Sequence, residues 1–296
     1  MPLPNRHLTS VLLRREGELF LFDCGEGTQV SLRRLNLRWK KISVIFISHT
    51  HADHVTGIPG LLMLSSQVDR DDPLYIIGPP KIAEYIEASR SVLDMYINYE
   101  IIVQEITSPG IVYKGDGFHV RCFPLRHTKP CYGYTLEEEM RPGEFHPQKA
   151  ESLGVPMGKL WGKLQKGETV QTADGREVRP EDVMGLPRMG RKFSFVTDSL
   201  AFPEISAHVT GSDLFVCEGM FSNDLIEDAH EKKHMTAAEA AQIAADSQDI
   251  KKLALIHYSP RYTDHELKQL QKEAQTIFPE TVLSRDRAVF PIEYVD

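Results

Sequence analysis

The most informative part of the sequence is residues 47–54, where an apolar run ends in the pattern H-x-H-x-D-H. On an extended segment His49 and His51 point to the same side, because side chains alternate with a period of two. Asp53 and His54 fall in the tight turn beyond and can address a second point a few ångströms away. Imidazole nitrogen and carboxylate oxygen are ligands of Zn²⁺ and its neighbours. Four ligands divided two and two predict a dinuclear metal site.

Three other predicted strands end in the same kinds of residue, His127, Asp198 and His257. Sites in open α/β sheets form outside the carboxyl ends of strands, so these are the natural completing ligands. Asp198 is the best candidate for a bridge, because its two oxygens can reach both ions. A water shared by two cations would have its pKa lowered from about 15.7 toward neutrality, so we predict metal-assisted hydrolysis. The candidate ligands are His49, His51, Asp53, His54, His127, Asp198 and His257.

These residues must be positioned by a layered α/β or α+β domain. Apolar runs rich in β-branched residues predict strands at 10–13, 19–22, 42–47, 74–77, 118–125, 193–196, 214–217 and 253–256. Helical periodicity predicts helices at 81–92, 237–246 and 264–278. Thr236 and Glu239 form a capping box that opens the second helix.

One stretch lacks this pattern of strands and helices. From about 141 to 191 the chain is rich in Gly, Pro and charge and has little periodicity. We expect it to be an insertion or protruding arm within a single domain that spans residues 1–296, rather than a second core.

The composition is that of a globular protein. Of 296 residues, 41% are hydrophobic, which excludes a disordered or collagen-like chain. The four cysteines stand singly without a C-x-x-C pair, so we expect neither a zinc ribbon nor disulfides. No apolar run has the length of a membrane span or a signal peptide, so we expect a soluble cytoplasmic protein. The 34 basic and 42 acidic residues give a net charge of −8, which argues against a polyanionic partner unless basic residues cluster locally.

The ligand pattern resembles that of the metallo-β-lactamase superfamily. Finer features are similar to one branch, ribonuclease Z, the tRNA 3′-processing endoribonuclease. The segments that carry the resemblance are LFDCGEGTQ (21–29), VPMGKLWGKLQKGETV (155–170), VCEGMF (216–221), HMTAAEAA (from residue 234) and LIHYSPRY (255–262).

This resemblance implies a four-layer αββα sandwich with a flexible substrate-binding arm and two Zn²⁺ ions per chain, with Mn²⁺ as the alternative. His49, His51 and His127 would hold one ion, Asp53, His54 and His257 the other, and Asp198 would bridge them. The family chain also begins with a strand that is absent here.

The resemblance also assigns catalytic roles. Asp53 would accept the proton of the attacking water. His234, oriented by Glu218, would protonate the leaving 3′ oxygen of the RNA, since imidazole titrates near neutral pH. His230 is the rival for this role.

The implied partner is precursor tRNA, bound by a homodimer. Arg6 in the N-terminal loop and Lys159, Lys163 and Lys166 in the arm are the candidate substrate-binding residues. Residues 33–41 contain five basic and no acidic residues and form either an RNA contact or a solvated face. Trp39 and Trp161 could pack or stack.

Two other functions share these ligands. A metallo-β-lactamase-fold hydrolase of a small phosphodiester or sulfate ester would need neither the arm nor the pairing of Glu218 with His234. A non-catalytic, metal-stabilised binding protein should have lost at least one ligand, whereas all seven are present.

Overall fold

The computed structural model describes residues 3–68 and 70–294. Its strands are β1 (Val11–Arg15), β2 (Glu18–Phe22), β3 (Ile42–Phe46), β4 (Leu74–Gly78), β5 (Ile101–Glu105), β6 (Gly110–Gly115), β7 (Phe118–Leu125), β8 (Cys131–Glu138), β9 (Val170–Gln171), β10 (Glu177–Val178), β11 (Lys192–Val196), β12 (Leu214–Glu218), β13 (Leu253–Ile256) and β14 (Thr281–Leu283). Its α-helices are α1 (Thr28–Arg34), α2 (Ala52–Val55), α3 (Ile58–Ser66), α4 (Ile82–Val92), α5 (Pro147–Ser152), α6 (Lys159–Gln165), α7 (Pro180–Val183), α8 (Glu204–Val209), α9 (Ile226–Glu231), α10 (Ala237–Asp246) and α11 (Asp264–Gln275).

Two sheets carry the site. The first has the order β1-β2-β3-β4-β5, and its strands from β2 to β5 run parallel. The second has the order β14-β13-β12-β11-β8-β7-β6, with β11 to β14 parallel. Parallel strands end at one edge of a sheet, so residues that follow them are brought together.

The two sheets pack face to face through a shared aromatic core. Phe22 and Phe46 of the first sheet contact Tyr134 of the second, and Phe22 also packs against Phe193 and Phe195. Helices α1, α3 and α4 cover the outer face of the first sheet, whereas α8, α10 and α11 cover that of the second. The predicted αββα layering is therefore confirmed.

The chain divides into two compact units. Among the described residues, the first contains 3–137 and 192–293, and the second, the inserted unit, contains 138–191 and 294. The inserted unit buries an apolar cluster of its own, which its weak periodicity did not predict. The buried members are Ala150, Val155, Leu164, Val170, Val178 and Val183.

Trp161 belongs to the inserted unit and is packed within it. Its ring lies 5.1 Å from that of Phe145, and its Nε1 donates a hydrogen bond to the Val155 carbonyl. Of the two roles left open for Trp161 by the sequence, the structure shows packing.

Two of the three predicted helices need a correction at one end. The first was expected to begin at Lys81 but begins at Ile82. The third was expected to reach Phe278 but ends at Gln275. Pro279 follows Phe278, and a residue that precedes proline is disfavoured in the helical region. Among the described residues, no helix is long and apolar enough to cross a membrane.

Candidate metal centre

Strand β3 delivers the first donors. The chain continues from β3 through His49 and His51, and Asp53 and His54 lie in the first turn of α2. The buried Tyr134 hydroxyl donates a hydrogen bond of 2.6 Å to the Ile47 carbonyl, which fixes the backbone immediately before His49.

The GEG segment that resembles the family motif supports this turn. The Cys24 amide donates to the His54 carbonyl at 2.8 Å. A Cβ atom at Gly25 would lie only 2.5 Å from the Asp53 carbonyl oxygen. Glycine is therefore required at position 25, because any side chain would push the metal-binding turn away.

The late donors join the turn from the second sheet. His127 follows β7, Asp198 follows β11 and His257 follows β13. His51 Nδ1 lies 2.9 Å from His49 Nε2 and 3.1 Å from His127 Nε2. Asp198 Oδ2 lies 3.5 Å from His49 Nε2 and 3.8 Å from His127 Nε2. These four residues form the first donor group.

A second donor group lies on the other side of Asp198. His257 Nε2 is 3.3 Å from Asp53 Oδ2 and 3.4 Å from Asp198 Oδ1. His54 Nε2 is 3.6 Å from Asp53 Oδ2 and 3.3 Å from Asp198 Oδ1. Asp198 therefore directs one oxygen to each group, as a bridging carboxylate must.

The spacing of these atoms fits divalent metal ions. Two donors on a tetrahedral zinc ion with bonds of about 2.0–2.1 Å are roughly 3.3 Å apart. His51 Nδ1 approaches two other imidazole nitrogens, although one proton can serve only one of these contacts. The buried His54 Nε2 has no hydrogen-bond partner among the described residues. A metal ion would satisfy these nitrogens, since buried polar atoms are normally paired.

Hydrogen bonds set the tautomers of the imidazoles. Asp23 accepts a hydrogen bond of 2.7 Å from His54 Nδ1, which leaves His54 Nε2 facing the site. Ser48 donates its hydroxyl to Asp23 and accepts from His49 Nδ1 at 3.0 Å. His127 Nδ1 donates to the Lys233 carbonyl at 2.9 Å. Such outer partners orient metal ligands and raise their basicity.

The electrostatics of the first donor group favour neutral imidazoles. Burial, and then the charge of His54, lower the pKa of His49 to about 2. Burial also lowers the pKa of His127 and, with the charge of Lys129, that of His51. These rings are uncharged at pH 7 and can donate lone pairs to a metal.

The second donor group attracts positive charge. Burial opposes ionisation of Asp198, but His257 and His54 outweigh it and hold the pKa of Asp198 well below its ordinary value. Burial is likewise outweighed at His54, where Asp198 and Asp23 raise the pKa well above its usual range. The site therefore retains carboxylate charge that a divalent cation would neutralise.

Two residues of the site have strained backbones. Asp23 has φ of 56° and His257 has φ of 57°, in the left-handed region that disfavours residues with a Cβ atom. Such strain persists where the surroundings hold it in place, and it clusters at functional sites.

His234 lies beside both donor groups. Its Nδ1 donates to Glu218 Oε2 at 2.9 Å, and its Nε2 lies 3.9 Å from Asp198 Oδ2. Glu218 is fully buried, and its other oxygen accepts from the Ser199 amide at 2.6 Å. Burial opposes protonation of His234, but Glu218 outweighs it and raises the pKa of His234.

His230, the rival, points elsewhere. Its Nε2 lies 2.6 Å from Glu239 Oε1, and its side chain is 48% exposed. The structure brings His234 to the donor groups and pairs His230 with Glu239, a member of the capping box of α10.

The predicted substrate-binding residues belong to both units. Arg6 donates to the carbonyls of Ser259 and Tyr262, at 3.5 and 2.7 Å. Lys159, Lys163 and Lys166 lie in the inserted unit and are exposed. Their spacing along α6 and its C-cap places them on one helical face.

Sequence reasoning missed the residues that hold the donors in place, above all Asp23, Ser48 and Ser199. Asp23 lies within the LFDCGEGTQ segment, where a carboxylate directly follows an apolar strand. That position was the available signal.

Comparisons with known proteins agree with this arrangement. The family model described as Anti-Pycsar protein Apyc1 matches residues 5–141, less than half of the chain. The chain is 68% identical over 296 residues to a protein named Ribonuclease Z from Treponema denticola, covering 100% of this chain and 96% of that protein. It is 42% identical to a protein named Ribonuclease Z from Borrelia hermsii, covering 96% of this chain and 91% of that protein. The crystal structure of human tRNase Z, short form (ELAC1), is 24% identical and shares the fold with a TM-score of 0.71, covering 99% of this chain and 95% of that one.

Proposed function

The chain belongs to the ribonuclease Z family of metal-dependent endoribonucleases, and from this premise we propose that it uses zinc to remove the 3′ trailer of precursor tRNA. The observation that carries the proposal is the position of Asp198 between two donor groups, with the pair of His234 and Glu218 beside it. A small-molecule hydrolase would need the donor groups but has no evident use for that pair.

The donor groups would hold two zinc ions, with manganese as the alternative. His49, His51 and His127 would bind one ion and Asp53, His54 and His257 the other, with Asp198 shared. When bound, the ions would activate water and neutralise charge on a phosphodiester.

Asp53 is suited to accept a proton from the attacking water. Its side chain is 36% exposed, whereas Asp198 is 2% exposed. Its Oδ2 is shared between His54 and His257, at 3.6 and 3.3 Å. Burial is outweighed by these two histidines, which lower the pKa of Asp53, so the carboxylate is ionised before the reaction.

His234 would protonate the leaving oxygen. Its Nδ1–H is donated to Glu218, which raises the pKa of His234 and so favours the imidazolium form, whose Nε2–H faces the donor groups. Protonation of the 3′ oxygen leaves a 3′-hydroxyl on the tRNA and a 5′-phosphate on the trailer. General acid catalysis of this kind contributes about 10²–10⁴-fold.

Substrate binding is assigned to the inserted unit. The three lysines Lys159, Lys163 and Lys166 would contact phosphates of the RNA, which requires no base recognition. We further propose a homodimer that acts in the cytoplasm, and sedimentation of the purified protein tests the oligomeric state.

The decisive experiment uses a precursor tRNA labelled in its trailer. The purified protein should release the trailer, a chelator should abolish release and Zn²⁺ should restore it. Asp53→Ala should lower kcat by about 10²–10⁴-fold. Mature tRNA and an aryl phosphodiester serve as alternative substrates. No metal-dependent cleavage of the precursor, together with efficient hydrolysis of the small diester, would establish the small-substrate hydrolase instead.

A further inference from the structure

Two lysines flank the first donor group and have no role in the function proposed above. We propose that Lys129 and Lys233 are positioning residues that bind the RNA phosphate on the 5′ side of the cleaved linkage. This inference rests on the proposed function and adds the path of the RNA strand across the site.

Both ammonium groups lie against the backbone that carries the donors. Lys129 Nζ donates to the carbonyl of Thr50, the residue between His49 and His51, at 3.2 Å. Lys233 Nζ donates to the His127 carbonyl at 3.5 Å. Each ammonium group therefore contacts a backbone carbonyl of a residue that belongs to the first donor group or lies next to one of its members.

Each ammonium group retains N–H donors that can bind a ligand. Lys129 and Lys233 are exposed, and among the described residues neither is within ion-pair distance of a carboxylate. An ammonium has three N–H donors, of which each lysine uses one here. Neighbouring Lys232 differs, because its Nζ lies 3.7 Å from Asp228 and its charge is matched.

The backbone of Lys233 is held in an unusual conformation. Its φ is 55°, in the region that disfavours residues with a Cβ atom. Its carbonyl accepts from His127 Nδ1, and the next residue, His234, has its ring 5.1 Å from the ring of His127. Lys233 and His234 thus both lie beside His127. Lys233 supplies a positive charge there, and His234 is the proposed proton donor.

This pairing gives the direction of the strand. The leaving 3′ oxygen that His234 protonates belongs to the nucleotide on the 5′ side of the cut. Lys233 precedes His234 in the chain, and its ammonium group contacts the His127 carbonyl beside the His234 ring, which favours binding of that nucleotide's own 5′-phosphate, the next anion along the strand. An ammonium is a point charge and suits a phosphate without reading a base.

The test neutralises one phosphate at a time. Precursor tRNAs carry a single uncharged methylphosphonate at the linkage immediately 5′ or immediately 3′ of the cut. For the wild type, the 5′ substitution should lower kcat/KM by about 10–100-fold. For the double variant Lys129→Gln/Lys233→Gln, the same substitution should have little further effect, because its partner charges are gone. The variant should also show a shallower dependence of kcat/KM on salt, with a slope smaller by about one, because both lysines contact the same phosphate.

Lys232→Gln is the matched control and should respond to both substitutions as the wild type does. The inference is overturned if the double variant stays as sensitive as the wild type to the 5′ substitution, or if its sensitivity is lost at the 3′ linkage instead. It is also overturned if the double variant binds less zinc, since the lysines would then support the donors. Failure of the wild type to cleave unmodified precursor tRNA would overturn the proposed function and this inference together.

Discussion

Asp23 and His54 are 31 residues apart in the chain, yet their fully buried side chains share a hydrogen bond of 2.7 Å. The same carboxylate also accepts from the Ser48 amide and hydroxyl. Asp23 thereby fixes two donors at once, His54 directly and His49 through Ser48.

We therefore expect Asp23→Asn to weaken metal binding without touching a metal donor. An amide has one oxygen and cannot accept all three hydrogen bonds, so His54 would lose its fixed tautomer. Loss of such a partner costs about 10–100-fold in metal affinity. Competition with a chromophoric chelator measures the effect, and Asp116→Asn in the exposed turn after β6 is the control. Equal affinities for both variants and the wild type would show that Asp23 does not orient the donors.

Asp198→Ala should be more severe. It removes the carboxylate that faces both donor groups, so both ions should be lost, or their affinity should fall by more than it does in Asp23→Asn. Metal analysis after gel filtration, together with the rate of RNA cleavage, provides the measurement. Retention of a full complement of metal would exclude Asp198 as the bridge.

His234→Asn should lower kcat by about 10²–10⁴-fold while KM and metal content change little. The comparison variant is His230→Asn, whose side chain pairs with Glu239 and should not affect the rate. A substrate with sulfur in place of the leaving 3′ oxygen should largely rescue His234→Asn, because a thiolate leaves without protonation. Reduced zinc content in His234→Asn would instead make His234 a metal ligand.

Metal removal should destabilise the fold. Carboxylates and unpaired imidazole nitrogens would remain buried together, and a ligand that binds only the folded state at 100 times its Kd adds about 2.7 kcal/mol of stability. Thermal unfolding should shift down with chelator and recover with Zn²⁺. An unchanged unfolding temperature across both treatments would contradict a structural contribution of the ions.

The triple variant Lys159→Gln/Lys163→Gln/Lys166→Gln should raise KM for precursor tRNA. Each lysine that binds a phosphate in the wild type should, when replaced, lower the salt dependence of kcat/KM by about one. Lys268→Gln/Lys272→Gln on α11, outside the inserted unit, is the control for surface charge. If both sets weaken RNA cleavage equally, α6 has no particular role in binding.

Much of the fold could be predicted from local pattern. All eight predicted strands form, with shifts of at most two residues at their ends. Seven of them bury most of their apolar side chains in the two sheets, whereas β1 is half-buried. The strands β5, β6, β9, β10 and β14 were missed, and each lies at an edge of its sheet. An edge strand has one neighbour and is less buried, so its apolar pattern is weak. The central strand β8 was also missed, because Gly133 and Thr135 interrupt its apolar run.

The sequence by itself determined the kind of chemistry, because donors at 49, 51, 53 and 54 lie within one short segment where geometry follows from chain period. It also indicated which strand ends carry the remaining donors. Only the tertiary structure decided how Asp198 divides its oxygens, that His234 rather than His230 faces the site, and that Asp23 holds His54. Those relationships join residues as far apart in the chain as His49 and Asp198, and they depend on the register of two packed sheets, which no local pattern encodes.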